Sequence, residues 1–434
     1  MKPKTIQSTS ATTVSARPCL VVTLMALVAT QVLMHAQPPS LVFNGTSGRL
    51  FAVDDQTNLH VNAYGPVVRL SATGTPLQTN TICPLYSKAA RDAVGNYFFA
   101  DVFSPPQDFG GVTLTDHHAF IARYDSAGTL MWAKTVGPVF VQGMGVTDLA
   151  VSSDGIAYVG YTVTLSAVSR YSALERFDGM GSNTWTSQKS TTIPGGVSAE
   201  VRFGPVTATN GFVQFFRYNS GNSAWAVDLE RFDGIGARFG ITSWIQPYTG
   251  NPVNNCARPV QNALGELFNV EGDQVVKRSG AGAVIWSRAA GNSISWTIGE
   301  DPFGGVYVSD QSASLRRYDF DGNLLWSLNT SAPVDRMINH GQSGRFISVN
   351  TGSSGRLTSD PSTLAPRLGG FLTSEAGPTF IIMGDAPAYR ILATTNLTAW
   401  PEIGVVTNSG GSARFTDSDG TIASPRFYRA QTLP

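Results

Sequence analysis

Residues 120–132 read FIARYDSAGTLMW, and the fold can be read outward from this stretch. Phe120 to Tyr124 alternate apolar and polar side chains, the pattern of a strand with one buried face. Asp125 can accept hydrogen bonds from the amides that follow it, and Gly128 tolerates positive φ, so together they turn the chain into a hairpin. The returning strand carries Trp132, whose large ring can pack on a neighbouring sheet. Arg123 is expected to lie along the sheet with its charged head in solvent.

The same arrangement recurs. Arg69-Leu70-Ser71 is followed by Gly74, with Gln78 where Trp would fall. Arg176-Phe177-Asp178 is followed by Gly181 and Trp185, and Arg231-Phe232-Asp233 by Gly236, with Gly240 at the Trp position. Lys277-Arg278-Ser279 leads to Gly282 and Trp286, and Arg317-Tyr318-Asp319 to Gly322 and Trp326. The basic residues lie 54, 53, 55, 46 and 40 positions apart, a period that belongs to repeat architectures and matches a propeller blade. Upstream of each hairpin sits a second one, as in Val146–Val163 and Ile294–Asp310, and two hairpins make a four-stranded antiparallel blade. The predicted fold is therefore all-β: a seven-bladed propeller, with six to eight as the range. Its units run 48–82, 83–138, 145–192, 197–246, 254–291, 292–331 and 332–370. Arg356-Leu357-Thr358 in the last unit lacks the Gly and Trp, and Leu41-Val42-Phe43 is expected to supply that unit's outer strand and close the ring.

Composition agrees. Charged residues make up 14%, Gly numbers 45 and aromatics reach 10%, which suits many short strands joined by tight turns. Residues 1–36 read as a secretory signal, with Lys2, Lys4 and Arg17 ahead of the apolar run Cys19–Met34 and Ala36 at the cleavage point. That run is short for a membrane span, and no other segment is long and apolar enough to make one. Beyond residue 36 the acids outnumber the bases by three, which argues against nucleic acid as a partner. Cys83 and Cys256 each read as a small hydrophobe, although export would permit a disulfide between them.

The run FGGVTLTDHHAFIARYDSAGTLMW (109–132) resembles the SBBP-type bacterial β-propeller repeat of extracellular proteins, and more loosely the tryptophan-docking repeats of quinoprotein propellers. The resemblance is specific in the second unit, partial elsewhere, and covers roughly 300 residues. It implies a secreted or surface propeller and no single activity. No adjacent cysteine pair or ligand cluster accompanies the repeat, so no quinone cofactor is expected.

From Gly370 the period stops, and residues 371–434 carry short strands such as Phe380–Met383, Tyr389–Leu392 and Arg426–Arg429. With Thr395-Asn396-Leu397, Trp400 and the terminal Phe427-Tyr428-Arg429, this part resembles a small C-terminal β module of secreted bacterial proteins, sandwich-like in strand spacing. The predicted organisation is a signal at 1–36, a propeller at 37–370 and the module at 371–434.

No GxSxG, P-loop or HExxH motif is present. Asp116-His117-His118 offers a carboxylate and two imidazoles, but adjacent strand residues point to opposite faces, so a structural loop is the better account. Asp319–Asn323 and Asp417–Gly420 resemble fragments of calcium loops without the distal Glu, and read as turns. No metal site follows from these patterns. Asp54, Asp55, Asp148, Glu271, Asp273, Glu300 and Asp301 are the acids that could converge at a ring mouth, the arrangement a glycan-cleaving enzyme would need. The leading expectation is instead a non-catalytic binding or scaffold propeller, with an extracellular glycan or protein as partner. Loops on a rigid scaffold carry such sites, and the longest are Ser104–His118 and Ser187–Ser198. Asp108, Phe109, Asp116, His117 and His118 of the first are the candidate ligand-binding residues. Trp132, Trp185, Trp286 and Trp326, with Gly128, Gly181, Gly236, Gly282 and Gly322, are the expected structural positions.

Overall fold

The computed structural model describes residues 40–44, 49–54, 56–62, 66–80, 82, 88–116, 118–139, 143–166, 169–192, 199–219, 224–247, 257–290, 296–301, 303–310, 312–330, 332–339, 345–349, 354–358, 366–374, 376–384, 386–408, 412–420 and 426–433. The expectations for residues 1–36, Asp55, Cys83, His117 and Cys256 lie outside the described residues. Among those described there is no helix, and so none long and apolar enough to cross a membrane.

The described strands form seven four-stranded antiparallel sheets. Six are sequential meanders over residues 49–80, 88–136, 144–192, 199–247, 260–289 and 296–329, numbered here as blades 1 to 6. Blade 7 combines Val334–Asn339, Arg345–Val349 and Ser354–Thr358 with Ser40–Asn44, whose register pairs Leu41 with Leu357 and Phe43 with Gly355. The first strand of each blade touches the first strand of the next, and Val334–Asn339 touches Arg49–Val53, so the sheets close a propeller around an axis. The core lies between blades. Phe98, Ile121 and Trp132 of blade 2 pack with Val159 and Phe177 of blade 3, and Tyr158 of blade 3 packs with Phe203 and Phe232 of blade 4. Burying such a side chain stabilises by about 1.5–3 kcal/mol.

The repeated turns explain the repeated letters. Asp125 Oδ1 accepts from the amides of Ala127 (2.9 Å) and Thr129 (2.8 Å), while the Gly128 amide donates to the Asp125 carbonyl at 3.0 Å. The same pattern is built at Asp178, Asp233 and Asp319, and with a hydroxyl at Ser71 and Ser279. The inner hairpins use it too, at Asp54, Asp92, Ser152 and Asn262. Three of the four repeat Trp side chains then dock on the turn of the following blade. Trp132 Nε1 donates to Gly179 O at 3.1 Å, Trp185 Nε1 to Gly234 O at 3.0 Å and Trp286 Nε1 to Phe320 O at 2.9 Å. Gly181 has φ +81°, and a Cβ there would stand 2.7 Å from the Trp132 ring, so the site excludes every other residue on two counts. Trp326 is buried against Tyr307. Where Gln78 and Gly240 replace Trp, Ile82 faces Gly128 and Ile241 faces Gly282.

The repeated basic residue does not keep its head in solvent as the sequence predicts. Lys277 is 0% and Arg317 1% exposed. Each reaches back to an acid of its own blade's first hairpin: Arg69 to Asp54 (3.2 Å), Arg123 to Asp92 (3.3 Å), Lys277 to Glu266 (2.7 Å) and Arg317 to Asp301 (3.0 Å). Blade 3 has Ser152 at that turn, and Arg176 donates instead to the Ala208 carbonyl of blade 4 at 3.0 Å. Arg231 alone of the set is exposed, its guanidinium over the Phe239 ring.

Two three-stranded sheets end the chain: Arg367–Ser374, Gly377–Met383 and Ser412–Thr416 in one, and Glu402–Thr407, Ala388–Thr394 and Phe427–Leu433 in the other. Phe380, Ile382, Tyr389 and Ile391 form the core between them, a small β-sandwich. Its first strand begins at Arg367, ahead of the boundary read from the loss of period at Gly370. The Thr395-Asn396-Leu397 segment is a turn: Asn396 Oδ1 accepts from the Thr398 amide at 3.0 Å, and the Asn396 amide donates to Thr394 Oγ1 at 3.2 Å.

Candidate functional site

Strand alternation gives the ring two unlike faces. Turns between first and second strands, and between third and fourth, emerge on one face and are the tight Asx and Ser turns just described. The C-terminal sandwich is seated on this face over blades 5 and 6. Arg367 Nη2 meets Asp321 Oδ2 at 2.6 Å with its guanidinium over the Phe320 ring, Met383 packs at Gly304, and Leu264 packs at Gly369. The other face carries the connections between second and third strands and from blade to blade.

The longest described excursion on the connection face runs from Val102 to Ala119 in blade 2 and contains the small hairpin Gln107–Asp108 with Thr113–Leu114. Phe109 is 1% exposed and packs against Phe103 and Phe120, with ring centroids 6.1 and 4.4 Å away, so this side chain anchors the hairpin to the blade and is not offered to a ligand. Asp108 is exposed, and its Oδ1 accepts from the Gly111 amide at 2.9 Å. Asp116 is exposed, His118 is half-buried, and the His118 carbonyl accepts from the Phe103 amide at 2.8 Å. The second long segment, Ser187–Ser198, is strand up to Thr192, paired in register with Ser169–Leu174, and its residues 193–198 lie outside the described residues.

A different set of side chains meets at the axis. Lys88 opens the first strand of blade 2, Asp148 lies within that of blade 3, Glu200 and Arg202 stand two apart on that of blade 4, and Arg258 precedes that of blade 5. Blades 2 and 5 are not neighbours in the ring, so the Coulombic coupling of Lys88 with Asp148, Arg202 and Arg258 runs across the central channel. Asp148 is 0% exposed, and its two oxygens are taken by the Phe203 amide (2.8 Å) and by Arg258 Nη2. Glu200 is 9% exposed and its Oε2 has no hydrogen-bond partner. Burial pushes its carboxyl up to about 7, against the opposing pull of Arg202 and Lys88. Burial, then the nearby Arg202, holds the Lys88 ammonium below the usual lysine range. Lys88, Glu200 and Arg258 lie at the beginnings of their strands or before them, which places the cluster at the connection-face mouth.

The acids named from sequence are not brought together. Asp54 bonds Asn58, His60 and Arg69; Asp301 is held bidentate by Arg317; and Glu271 is held by both ends of the Arg278 guanidinium, away from the axis. Asp273 is exposed in the turn after Glu271. Glu300 lies at the opposite end of the channel, its carboxyl pushed up to about 7 by burial and by Asp301 beside it. Only Asp148 of that set joins the axial cluster. Asp319 and Asp417 each accept backbone amides through Oδ1, which commits them to turns. Among the described residues no group of His, Cys, Asp and Glu is placed to hold a metal ion.

Lys88, Glu200, Arg202 and Arg258 were not singled out from sequence. The available signal was a charge inside an innermost strand that is otherwise apolar, as in Ala199-Glu200-Val201-Arg202-Phe203. A further cleft of about 380 Å³ opens at the outer edge between blades 4 and 5, lined by Trp244, Ile245, Gln274 and Val284.

No family model matches the chain, and no curated protein matches it. Similar solved structures include BamB from Moraxella catarrhalis, 12% identical over 74% of this chain and 84% of that one with a TM-score of 0.39. They also include BBS1N in complex with ARL6DN (11% identity, 75% and 99% covered, TM-score 0.43) and the Dos1 propeller (9%, 75% and 96%, 0.40). The propeller assignment rests on the strand pairing described above.

Proposed function

We propose that this chain is an exported, non-catalytic binding protein that presents a ligand site on the connection face of a rigid propeller. In this reading residues 1–36 direct export, residues 37–370 hold the ligand, and the C-terminal module from about residue 371 serves attachment or assembly. The observation that carries it is the asymmetry of the faces. The repeated Asp and Ser side chains on the tight-turn side are taken up by turns and Asp321 by the seated sandwich, whereas the axial mouth of the other side retains a buried carboxyl oxygen, Glu200 Oε2, with no partner among the described residues. Binding groups on a rigid scaffold sit in such connecting segments. An extracellular glycan or protein is the partner class.

A glycan and peptide array probed with the purified chain tests this. Binding should fall for Asp108→Ala with Asp116→Ala on the connection face, or for Lys88→Met at its mouth. It should persist for Met180→Ser with Ile235→Ser, which changes exposed tips of the tight-turn face. Loss caused only by the second pair would overturn the face assignment, and turnover of a polysaccharide would replace the binding reading with an enzymatic one.

A further inference from the structure

The axial cluster is chemically incomplete. Asp148 is saturated by an amide and a guanidinium, so it neutralises Arg258 and little else. Lys88 remains without a hydrogen bond or ion pair among the described residues, and Glu200 keeps a bare Oε2 although it is 9% exposed. Glu200 and Lys88 feel each other electrostatically yet do not join. A buried polar atom left unbonded is costly, and a direct Lys–Glu pair would be the simple remedy. A donor and an acceptor that feel each other but do not bond suit a guest able to satisfy both.

Such a guest needs an acidic group for the cationic side of the mouth, formed by Lys88 and Arg202, and a hydroxyl for Glu200 Oε2. Resting on the reading that the connection face carries the ligand, we propose that the axial mouth binds a hydroxylated carboxylate of the uronic-acid class, with its carboxylate at Lys88 and Arg202 and a hydroxyl donating to Glu200. Burial pushes the Glu200 carboxyl up to about 7, and in either protonation state it retains a lone pair for that hydroxyl. A neutral hexose lacks the anion, and inorganic phosphate lacks the carbon-borne hydroxyls. The hexose should bind far more weakly, because a charge-assisted contact is about twice as strong as a neutral one, and phosphate more weakly through the loss of the sugar hydroxyl at Glu200.

Calorimetric titration of the full chain with glucuronate, glucose, inorganic phosphate and an oligouronate tests the proposal. Glucuronate should give saturable binding, Lys88→Met should weaken it about tenfold or more, and Glu200→Gln should narrow its margin over phosphate. Lys88 has no side-chain partner among the described residues, so Lys88→Met should keep the wild-type thermal transition, and Glu200→Gln supplies a second, isosteric probe. Tighter binding of the oligouronate than the monosaccharide would identify the ligand as part of an acidic polysaccharide; equal binding would identify a free sugar acid. Absence of glucuronate binding, or binding indifferent to both substitutions, overturns the proposal. An array ligand lost on changing Asp108 and Asp116 would still leave the broader binding reading standing in that case.

Discussion

The two faces of the ring use the same residue types to opposite ends. On the tight-turn face Asp125, Asp178, Asp233 and Asp319 spend their carboxylates on backbone amides, and Arg317 spends its guanidinium on buried Asp301. On the connection face the Lys88 ammonium makes no hydrogen bond or ion pair among the described residues, and Glu200 Oε2 is buried without a partner. On the first face the repeated Asp and Ser side chains each have a local backbone partner. The second keeps desolvated polar atoms at a cost, which folding alone would not favour.

The largest effects should come from the tight-turn face. Trp132→Ala should destabilise by about 3–5 kcal/mol, the usual range for a buried large aromatic, as measured from denaturant unfolding midpoints. A loss under about 1 kcal/mol would show that the docking of Trp132 on Gly179 and Gly181 contributes little. Arg317→Met should cost about 3–5 kcal/mol by leaving Asp301 buried and unpaired. Arg231→Met at the equivalent exposed position should stay within about 0.5 kcal/mol. Equal costs for these two arginines would erase the distinction between a used and an unused repeat position.

The connection face should show itself through pH. Burial raises the Glu200 carboxyl from 4.5 to about 7, so the folded chain holds a proton that the unfolded chain has released. The stability this contributes is complete below about pH 4.5 and is lost as pH rises through about 7, amounting to about 3 kcal/mol. Glu300 adds a parallel loss at the other end of the channel, and His60, held down to about 4 by burial, acts in the opposite sense. Both cancel when the wild type is compared with Glu200→Gln across pH 5 to 8, on the order of the window the shift defines. A difference that stays flat would show that Glu200 is solvated and the mouth is open water. The smallest effect is a gain: a Cβ at Gly240 meets nothing within 4 Å, so Gly240→Thr in the outer strand of blade 4 should stabilise by about 0.5–1 kcal/mol, read as a rise in the thermal midpoint.

What could be read from sequence was what is local. Asp125 and Gly128 belong to one turn, and their spacing alone predicts it. The fate of Arg317 was hidden, because Asp301 lies in the preceding hairpin and becomes its partner only once the blade has formed. Phe109 looked like a loop residue because its neighbours are Gly and Asp, yet Phe103 and Phe120, which flank the excursion, draw it inward. The axial cluster was further out of reach. Lys88, Asp148, Glu200 and Arg258 come from four blades and meet only when the ring has closed.

That closure depends on Ser40–Asn44 hydrogen-bonding to Ser354–Thr358. Ribosomes make chains from the amino terminus, so the strand that fastens the ring is synthesised first and waits for a partner that is among the last of the propeller to appear. So distant a pairing is slow to find, since the entropy of closing the long loop must be met before the contact rewards it. Until then Ser354–Thr358 presents an open edge to any other extended segment, including the corresponding strand of a second copy. Mechanically the same joint is a clasp: tension applied at the amino end would peel one short strand before it loaded any complete blade.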